Sequence, residues 1–321
     1  MQSIVQIENL TKDYEVGFWR KRKVRSLDGL SLVVNQGEIF GFLGANGAGK
    51  TTTLKILMRL IFPTSGTARI LGQDIAVVSM HQRIGYLPES PYFYDYLTAL
   101  EFLDYCGQIF GLSVNDRRER SRALLSRVRL DEKKWTTQLR KFSKGMLQRV
   151  GMAQALVNDP EVIFLDEPMS GLDPIGRREV RDLIAALRLE GKTVFMCTHI
   201  LSDIEVLCDR VAILRRGRLA NVGTLEELRR GTHEQARLEV VTTGTDAPTL
   251  KRYIENNDIQ IAATPSGLRI EVSAENEVDN VLIALRKAGG KLVAVQPLRQ
   301  SLEELFLDEA GNGRPTEPEA T

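Results

Sequence analysis

The stretch Gly44-Ala45-Asn46-Gly47-Ala48-Gly49-Lys50-Thr51-Thr52 constrains this chain more than any other. Residues 44–51 fit the pattern G-x-x-x-x-G-K-[ST] of a phosphate-binding loop, or P-loop. The apolar run Ile39-Phe-Gly-Phe-Leu43 leads into it, and residues 51–60 read as a helix, so the order is strand, glycine loop, helix. Gly44, Gly47 and Gly49 let the backbone enter conformations closed to residues with a Cβ, turning successive N–H groups inward as an anion nest. The positive end of the following helix reinforces that nest. Lys50 offers a point charge to the β- and γ-phosphates, and Thr51 a hydroxyl to Mg²⁺. Such a loop specifies a nucleoside triphosphate. GTPases, kinases and many ATPases share it, so the rest of the chain must decide the chemistry.

The surrounding pattern is α/β. Residues 162–165, 193–197 and 211–214 are short buried-strand runs, and residues 177–190 carry Val180, Leu183, Ile184 and Leu187 at helical spacing. Strands separated by helices of this length predict a largely parallel sheet. From about 91 to 156 the strand signals vanish, which predicts an inserted helical subdomain whose last helix carries Met146, Val150, Ala153 and Val157 on one stripe. Beyond about 231 the order becomes β-α-β-β-α-β. That is the split βαβ of a small ferredoxin-like α+β domain, closed by Gly289-Gly290 and a last strand, with Leu302, Leu305 and Phe306 on a docking helix. The expected organisation is 1–231 for the nucleotide domain and 232–310 for the α+β domain. Residues 311–321, rich in Gly, Pro and Glu, are the expected disordered tail.

Composition narrows the partners. Lys+Arg of 43 against Asp+Glu of 42 gives no global pull toward nucleic acid, so none is expected as a partner. Cys106, Cys197 and Cys208 have no Cys-x-x-Cys spacing, which argues against a disulfide framework or zinc site and for reduced thiols in the cytoplasm. The first ten residues show no basic segment leading into a long apolar one, so no secretory signal is expected. No uninterrupted apolar run approaches the ~18–20 residues of a spanning helix. This subunit is not expected to cross a bilayer unaided.

The run Val162-Ile-Phe-Leu-Asp166-Glu167-Pro168 puts two carboxylates at the C-terminal end of a buried strand, where ligands bind in doubly wound sheets. Asp166 is the natural water-mediated Mg²⁺ partner. Glu167 can orient or deprotonate the water that attacks the γ-phosphorus. Just upstream, Phe142-Ser143-Lys144-Gly145-Met146 with Gln148-Arg149 opens a helix and resembles the Leu-Ser-Gly-Gly-Gln signature of ABC-type ATPases. Ser170-Gly-Leu-Asp173 resembles that family's D-loop, Thr198-His199 its switch histidine, and Tyr86-Leu-Pro-Glu89 stands in place of its glutamine loop. With the P-loop, five motifs occur in family order between about Tyr14 and Gly223, and the chain is identified as a member of the ABC-type ATPases.

The resemblance implies a P-loop NTPase fold of ABC type, ATP and Mg²⁺ as cofactors, and two copies closing head to tail around two ATP molecules. Ser143 and the Gly145 backbone would then grip the γ-phosphate bound by the partner's P-loop, as donors at a helix N-terminus suit an anion. Asp173 would sit at the same interface. His199 would contact the γ-phosphate and hold Glu167 in register. Tyr14 resembles the aromatic that stacks on adenine, with Phe18 or Trp19 as alternatives. The basic stretch 19–25 reads as a solvated hairpin tip, with anionic lipid or the triphosphate as the lesser reading. His81 and His233 carry no assignment.

The departures are informative. Phe142, Lys144 and Met146 replace Leu, Gly and Gln, and Glu89 replaces the loop glutamine as a candidate Mg²⁺ ligand beside Thr51 and Asp166. Lys144 either offsets the charge of Glu89 or contacts the partner's nucleotide. These changes, and the segment Ser301-Leu-Glu-Glu-Leu-Phe306, resemble one exporter branch whose permeases are separate chains. The resemblance therefore implies an ATPase subunit peripheral on the cytoplasmic face of the cell membrane, coupled to an integral-membrane permease. The aromatic run Tyr92-Phe-Tyr-Asp-Tyr96 either receives the permease's coupling helices or packs in the core. The alternative is a soluble ABC ATPase acting on nucleic acid or ribosomes, but the second nucleotide domain, coiled coil and zinc inserts usual there are missing from this sequence. A third reading makes the C-terminal domain a ligand sensor. No motif marks a site in it, and docking or dimer stabilisation is the preferred role.

Overall fold

The computed structural model describes residues 2–17, 21–230, 238–254, 259–264, 267–272 and 275–297. The chain divides between Leu225 and Glu226 into two compact units. Leu302, Leu305, Phe306, the tail 311–321, Phe18, Trp19 and His233 lie outside the described residues.

The first unit opens with two long strands, β1 (Ser3–Val16) and β2 (Arg22–Asn35), followed by β3 (Ile39–Leu43), the glycine loop and α1 (Lys50–Leu57). Next come β4 (Ser65–Ile70), β5 (Gln73–Asp74) and β6 (Ile84–Leu87). The helical insertion holds α2 (Ala99–Ile109), α3 (Val114–Arg127) and α4 (Lys144–Ala155). The chain then alternates through β7 (Val162–Asp166), α5 (Pro174–Leu189), β8 (Thr193–Thr198), α6 (Leu201–Leu207), β9 (Arg210–Arg215) and β10 (Arg218–Thr224), with α7 (Leu225–Arg230) at the division.

The predicted parallel sheet has the order β10-β9-β3-β8-β7-β6. Every pairing from β9 to β6 is parallel, and β10 closes one edge antiparallel to β9. All residues of β3, β7 and β8 are buried, as strands covered on both faces require. Period-two alternation explains one face. Phe40, Phe42 and Phe164 gather around Phe195 with ring centroids 5.3–5.5 Å away. On the other face of β3, a Cβ at Gly41 would meet Ile204 Cδ1 at 2.5 Å and Cys208 Sγ at 2.8 Å, so glycine is what lets α6 lie against the strand.

An antiparallel sheet, β2-β1-β4-β5, shares this core and is a departure from the purely α/β pattern expected. The helix expected over residues 51–60 ends at Leu57. Arg59 turns to φ 54°, and the N–H groups of Arg59 and Leu60 return to the carbonyls of Ile56 and Lys55, closing the last turn.

The second unit runs β11 (Leu238–Thr243), α8 (Ala247–Lys251), β12 (Gln260–Thr264), β13 (Gly267–Val272), α9 (Glu275–Lys287), β14 (Lys291–Pro297). Its sheet order is β12-β13-β11-β14, all antiparallel, the split βαβ pattern. Val240, Leu268, Ile270 and Val272 face Leu250, Val281, Ala284 and Leu285 in its core.

Candidate functional site

The loop after β3 has its crest, Ala45, Asn46 and Gly47, in solvent, while Ala48, Gly49 and Lys50 are buried beneath it. Gly47 stands at φ 81° and Gly49 at φ 111°. At Gly49 a Cβ would come within 2.7 Å of Leu27 Cδ2 and 2.8 Å of the Ser26 carbonyl, so both dihedral and space require glycine. Gly217, in the turn between β9 and β10, ties the loop from outside by donating its N–H to the Ala48 carbonyl at 2.8 Å. Lys50 Nζ donates to the Gly44 carbonyl at 2.7 Å and reaches the Ala45 carbonyl at 3.4 Å. The lysine thus lies curled over its own loop, aimed at the space the glycines line.

The two acidic residues approach this loop from β7. Successive side chains of a strand face opposite ways, yet Asp166 and Glu167 both serve the loop side. The backbone accomplishes this by leaving the strand conformation at Glu167, whose φ is 50°. A residue before proline is normally driven to extended conformations, so this geometry persists only because the surroundings fix it. Glu167 donates its N–H to the Cys197 carbonyl at 2.9 Å, and its own carbonyl accepts from the Ser170 N–H at 3.0 Å. The Glu167 carboxylate is 3.6 Å from Lys50 Nζ, and His199 Nδ1 donates to its Oε1 at 2.9 Å. His199 stands just past the end of β8 with its ring about half in solvent.

Asp166 is 1% exposed, and neither carboxylate oxygen has a hydrogen-bond partner. Burial pushes its pKa up to about 6. The nearby Thr51 hydroxyl pulls it back only in part, and the charges of Glu167 and Glu89 push it further up. Glu89 itself is exposed in the loop after β6. No cluster of three or more His, Cys, Asp or Glu able to hold a metal occurs among the described residues.

Tyr14 is half-buried on β1. Its hydroxyl is 3.5 Å from Thr52 Oγ1, and Thr52 in turn is 2.9 Å from Ser26 Oγ, a contact not read from the sequence. The Lys12 ammonium lies 5.2 Å from the Tyr14 ring centroid. In the basic stretch, Arg25 pairs with Asp13 and Asp28 and Lys21 with Glu15, the pairing of a solvated hairpin. Ser143 caps α4, its hydroxyl accepting from the Met146 N–H. Gly145 is open but for Leu172, whose Cδ2 would lie 3.4 Å from a Cβ. Lys144 passes over Gly171 so closely that a Cβ there would meet its Nζ at 2.5 Å. Asp173 caps α5 by accepting from the Gly176 N–H at 2.8 Å. Ser143, Gly145 and Asp173 are not engaged with the loop of their own chain through any of these contacts. The aromatic run divides. Phe93 is buried edge-on against Phe102, whereas Tyr92, Tyr94 and Tyr96 are exposed.

The chain is similar to known proteins in sequence and in fold. The family described as ABC transporter matches residues 27–170. An uncharacterized ABC transporter ATP-binding protein of Synechocystis sp. is 46% identical over 306 residues, 95% of this chain and 84% of that protein. A Nod factor export ATP-binding protein of Ralstonia nicotianae is 34% identical over 274 residues, 85% of this chain and 79% of its own. Among solved structures, a dimeric ATP-binding cassette in a post-hydrolysis state with ADP and Pi superposes with a TM-score of 0.64 at 27% identity, over 69% of this chain and 99% of that one.

Proposed function

Because this chain belongs to the ABC transporter ATP-binding proteins, we propose that it is the ATP-hydrolysing subunit of an exporter, driving a separate permease from the cytoplasmic face of a membrane. Binding and hydrolysis of ATP are the property of the family. The observation that carries the assignment of residues is the meeting of Lys50, Glu167 and His199 beside the glycine loop, at 3.6 Å and 2.9 Å.

The β- and γ-phosphates take the place of the Gly44 carbonyl as the partner of Lys50, with N–H groups of residues 45–52 around them. That exchange draws the ammonium off its carbonyl. Glu167 is then left to orient the water that attacks the γ-phosphorus, its Oε1 held by His199 Nδ1. The other nitrogen of His199 faces the γ-phosphate. Tyr14 stacks on the adenine. The residues present fit Mg²⁺, which binds through few protein ligands and phosphate oxygens. Thr51 would hold it directly, Asp166 through water, and Glu89 from its loop, and the two unpartnered oxygens of Asp166 support this. Bound there, the ion would neutralise charge developing on the transferring phosphoryl group.

A second copy of the chain completes the site. Ser143 and Gly145 of one subunit face the γ-phosphate of the other, with Asp173 beside them. The dimeric state of the related cassette supports this arrangement. Export is supported by the Nod factor relative and by Lys144 and Glu89. Exposed Tyr92, Tyr94 and Tyr96 favour the reading in which this surface receives the permease.

The test is ATP hydrolysis by the purified chain against Glu167→Gln, with a size measurement in ATP. Loss of turnover together with an ATP-trapped dimer is the expected result. Turnover unaffected by the substitution, with no dimer, would refute the assignment. Co-expression with its permease should then give ATP-dependent efflux, and uptake instead would refute export.

A further inference from the structure

The backbone around Glu167 is fastened from one more side. Gln148 lies on α4, 3% exposed, and its Nε2 donates to the Pro168 carbonyl at 2.9 Å. That carbonyl is the first one after Glu167 along the chain. Three hydrogen bonds therefore bracket the strained residue. Its N–H goes to Cys197 on β8, its carbonyl is held by Ser170, and the next carbonyl is held by Gln148 from the helical insertion. The first two come from the sheet and from the loop itself. The third comes from an element outside the sheet.

The position of Gln148 on α4 gives the bond its meaning. The N-terminus of the same helix presents Ser143 and Gly145. The next residue, Arg149, anchors the helix by donating to the carbonyls of Val128 and Arg129 and by pairing with Glu179 of α5. A rigid helix pinned in this way transmits displacement of its N-terminus to Pro168 rather than absorbing it. We propose that Gln148 is a positioning residue for Glu167. It sets the Glu167 carboxylate in place according to where α4 stands, so that engagement of Ser143 with the ATP of a second copy readies the same chain's own Glu167. The inference rests on the reading of Glu167 and of the two-copy site given above.

Gln148→Met keeps the length and burial of the side chain and removes the donor. Without it the Pro168 carbonyl is buried unpaired and Glu167 loses one of its three fixings, for which a fall in kcat of about tenfold is expected. ATP affinity of the nucleotide-free chain should stay within about twofold, because no group that touches ATP has changed. The decisive measurement is a double-mutant cycle with Glu167→Gln. If Gln148 acts through Glu167, adding Gln148→Met to Glu167→Gln should alter residual hydrolysis less than about twofold. A further tenfold fall in that background would overturn the proposal, as would normal kcat in Gln148→Met while Glu167→Gln is inactive. Wild-type turnover in Glu167→Gln would instead bring down the reading of Glu167 itself, and the inference with it. Should Gln148→Met not fold, Gln148→Leu, which is apolar and has no donor, runs through the same cycle with the same expectations.

Discussion

Asp166 is held where an ionised carboxylate is poorly served, and replacing it should separate stability from activity. Burial moves its pKa from the ordinary 3.8 to about 6. At about 1.4 kcal/mol per pH unit, ionised Asp166 therefore costs the nucleotide-free fold about 3 kcal/mol. The folded chain holds this proton more tightly than the unfolded chain does. The stabilisation that this proton contributes is thus fully present below about pH 4, falls as pH rises toward 6, and is lost above about 7. Asp166→Asn removes the charge at every pH, although the buried amide costs about 1 kcal/mol of its own. The net gain at pH 8 is about 2 kcal/mol, or about 4–8 °C in melting temperature for a unit of this size. Thermal melts of the nucleotide-free variant and wild type at pH 8 and pH 5 check this, with the gain expected at pH 8 and nearly absent at pH 5. ATP with Mg²⁺ should erase the advantage, since the ion's charge offsets that of Asp166 in wild type and has no such charge to meet in the variant, and hydrolysis by the variant should collapse. Equal melting shifts at both pH values, or a less stable variant at pH 8, would refute the reasoning.

Other substitutions test other parts. Gly49→Ala forces a Cβ into a φ of 111° and within 2.8 Å of Ser26 and Leu27 atoms, so ATP binding should be lost along with about 2 kcal/mol or more of stability, read by nucleotide titration and melts. Phe195→Ala empties the centre of the ring cluster formed with Phe40, Phe42 and Phe164 and should cost about 3–5 kcal/mol in urea unfolding. His199→Ala removes the 2.9 Å bond to Glu167 and should lower kcat by about 100-fold with KM for ATP little changed in steady-state assays.

How much of this was legible beforehand depended on how local each feature is. The glycine loop could be read because strand, turn and helix N-terminus are contiguous and each residue type has its own physical reason. The strands β3, β7 and β8 could be read because burial on both faces leaves continuous apolar runs. The sheet β2-β1-β4-β5 could not. Its long strands mix Lys12, Asp13, Lys23 and Arg25 with apolar positions, and four register shifts between β1 and β2 scramble the alternation. The early end of α1 was hidden because Met58, Leu60 and Ile61 keep the composition apolar while the backbone turns at Arg59. Asp166 and Glu167 stand out in the sequence by their place at a strand end. That both could serve one side of the sheet needed the φ of Glu167. The bond from Gln148 joins a helix to a loop brought together only by folding, and the place of Gln148 in the signature run gives no sign of its partner at Pro168.

The capping of α4 by Ser143 has a further consequence. In holding the Met146 N–H the hydroxyl uses a lone pair, and its hydrogen remains free to donate. One oxygen can therefore fasten the helix and meet a phosphate at once, and the two tasks reinforce each other. A phosphate that draws the hydroxyl hydrogen makes the oxygen a stronger acceptor toward Met146. The first turn of α4 should then fray less when ATP bridges two copies. Slower exchange of the Met146 amide hydrogen in the ATP-bound dimer than in the free chain would record the closing of the site from the helix itself.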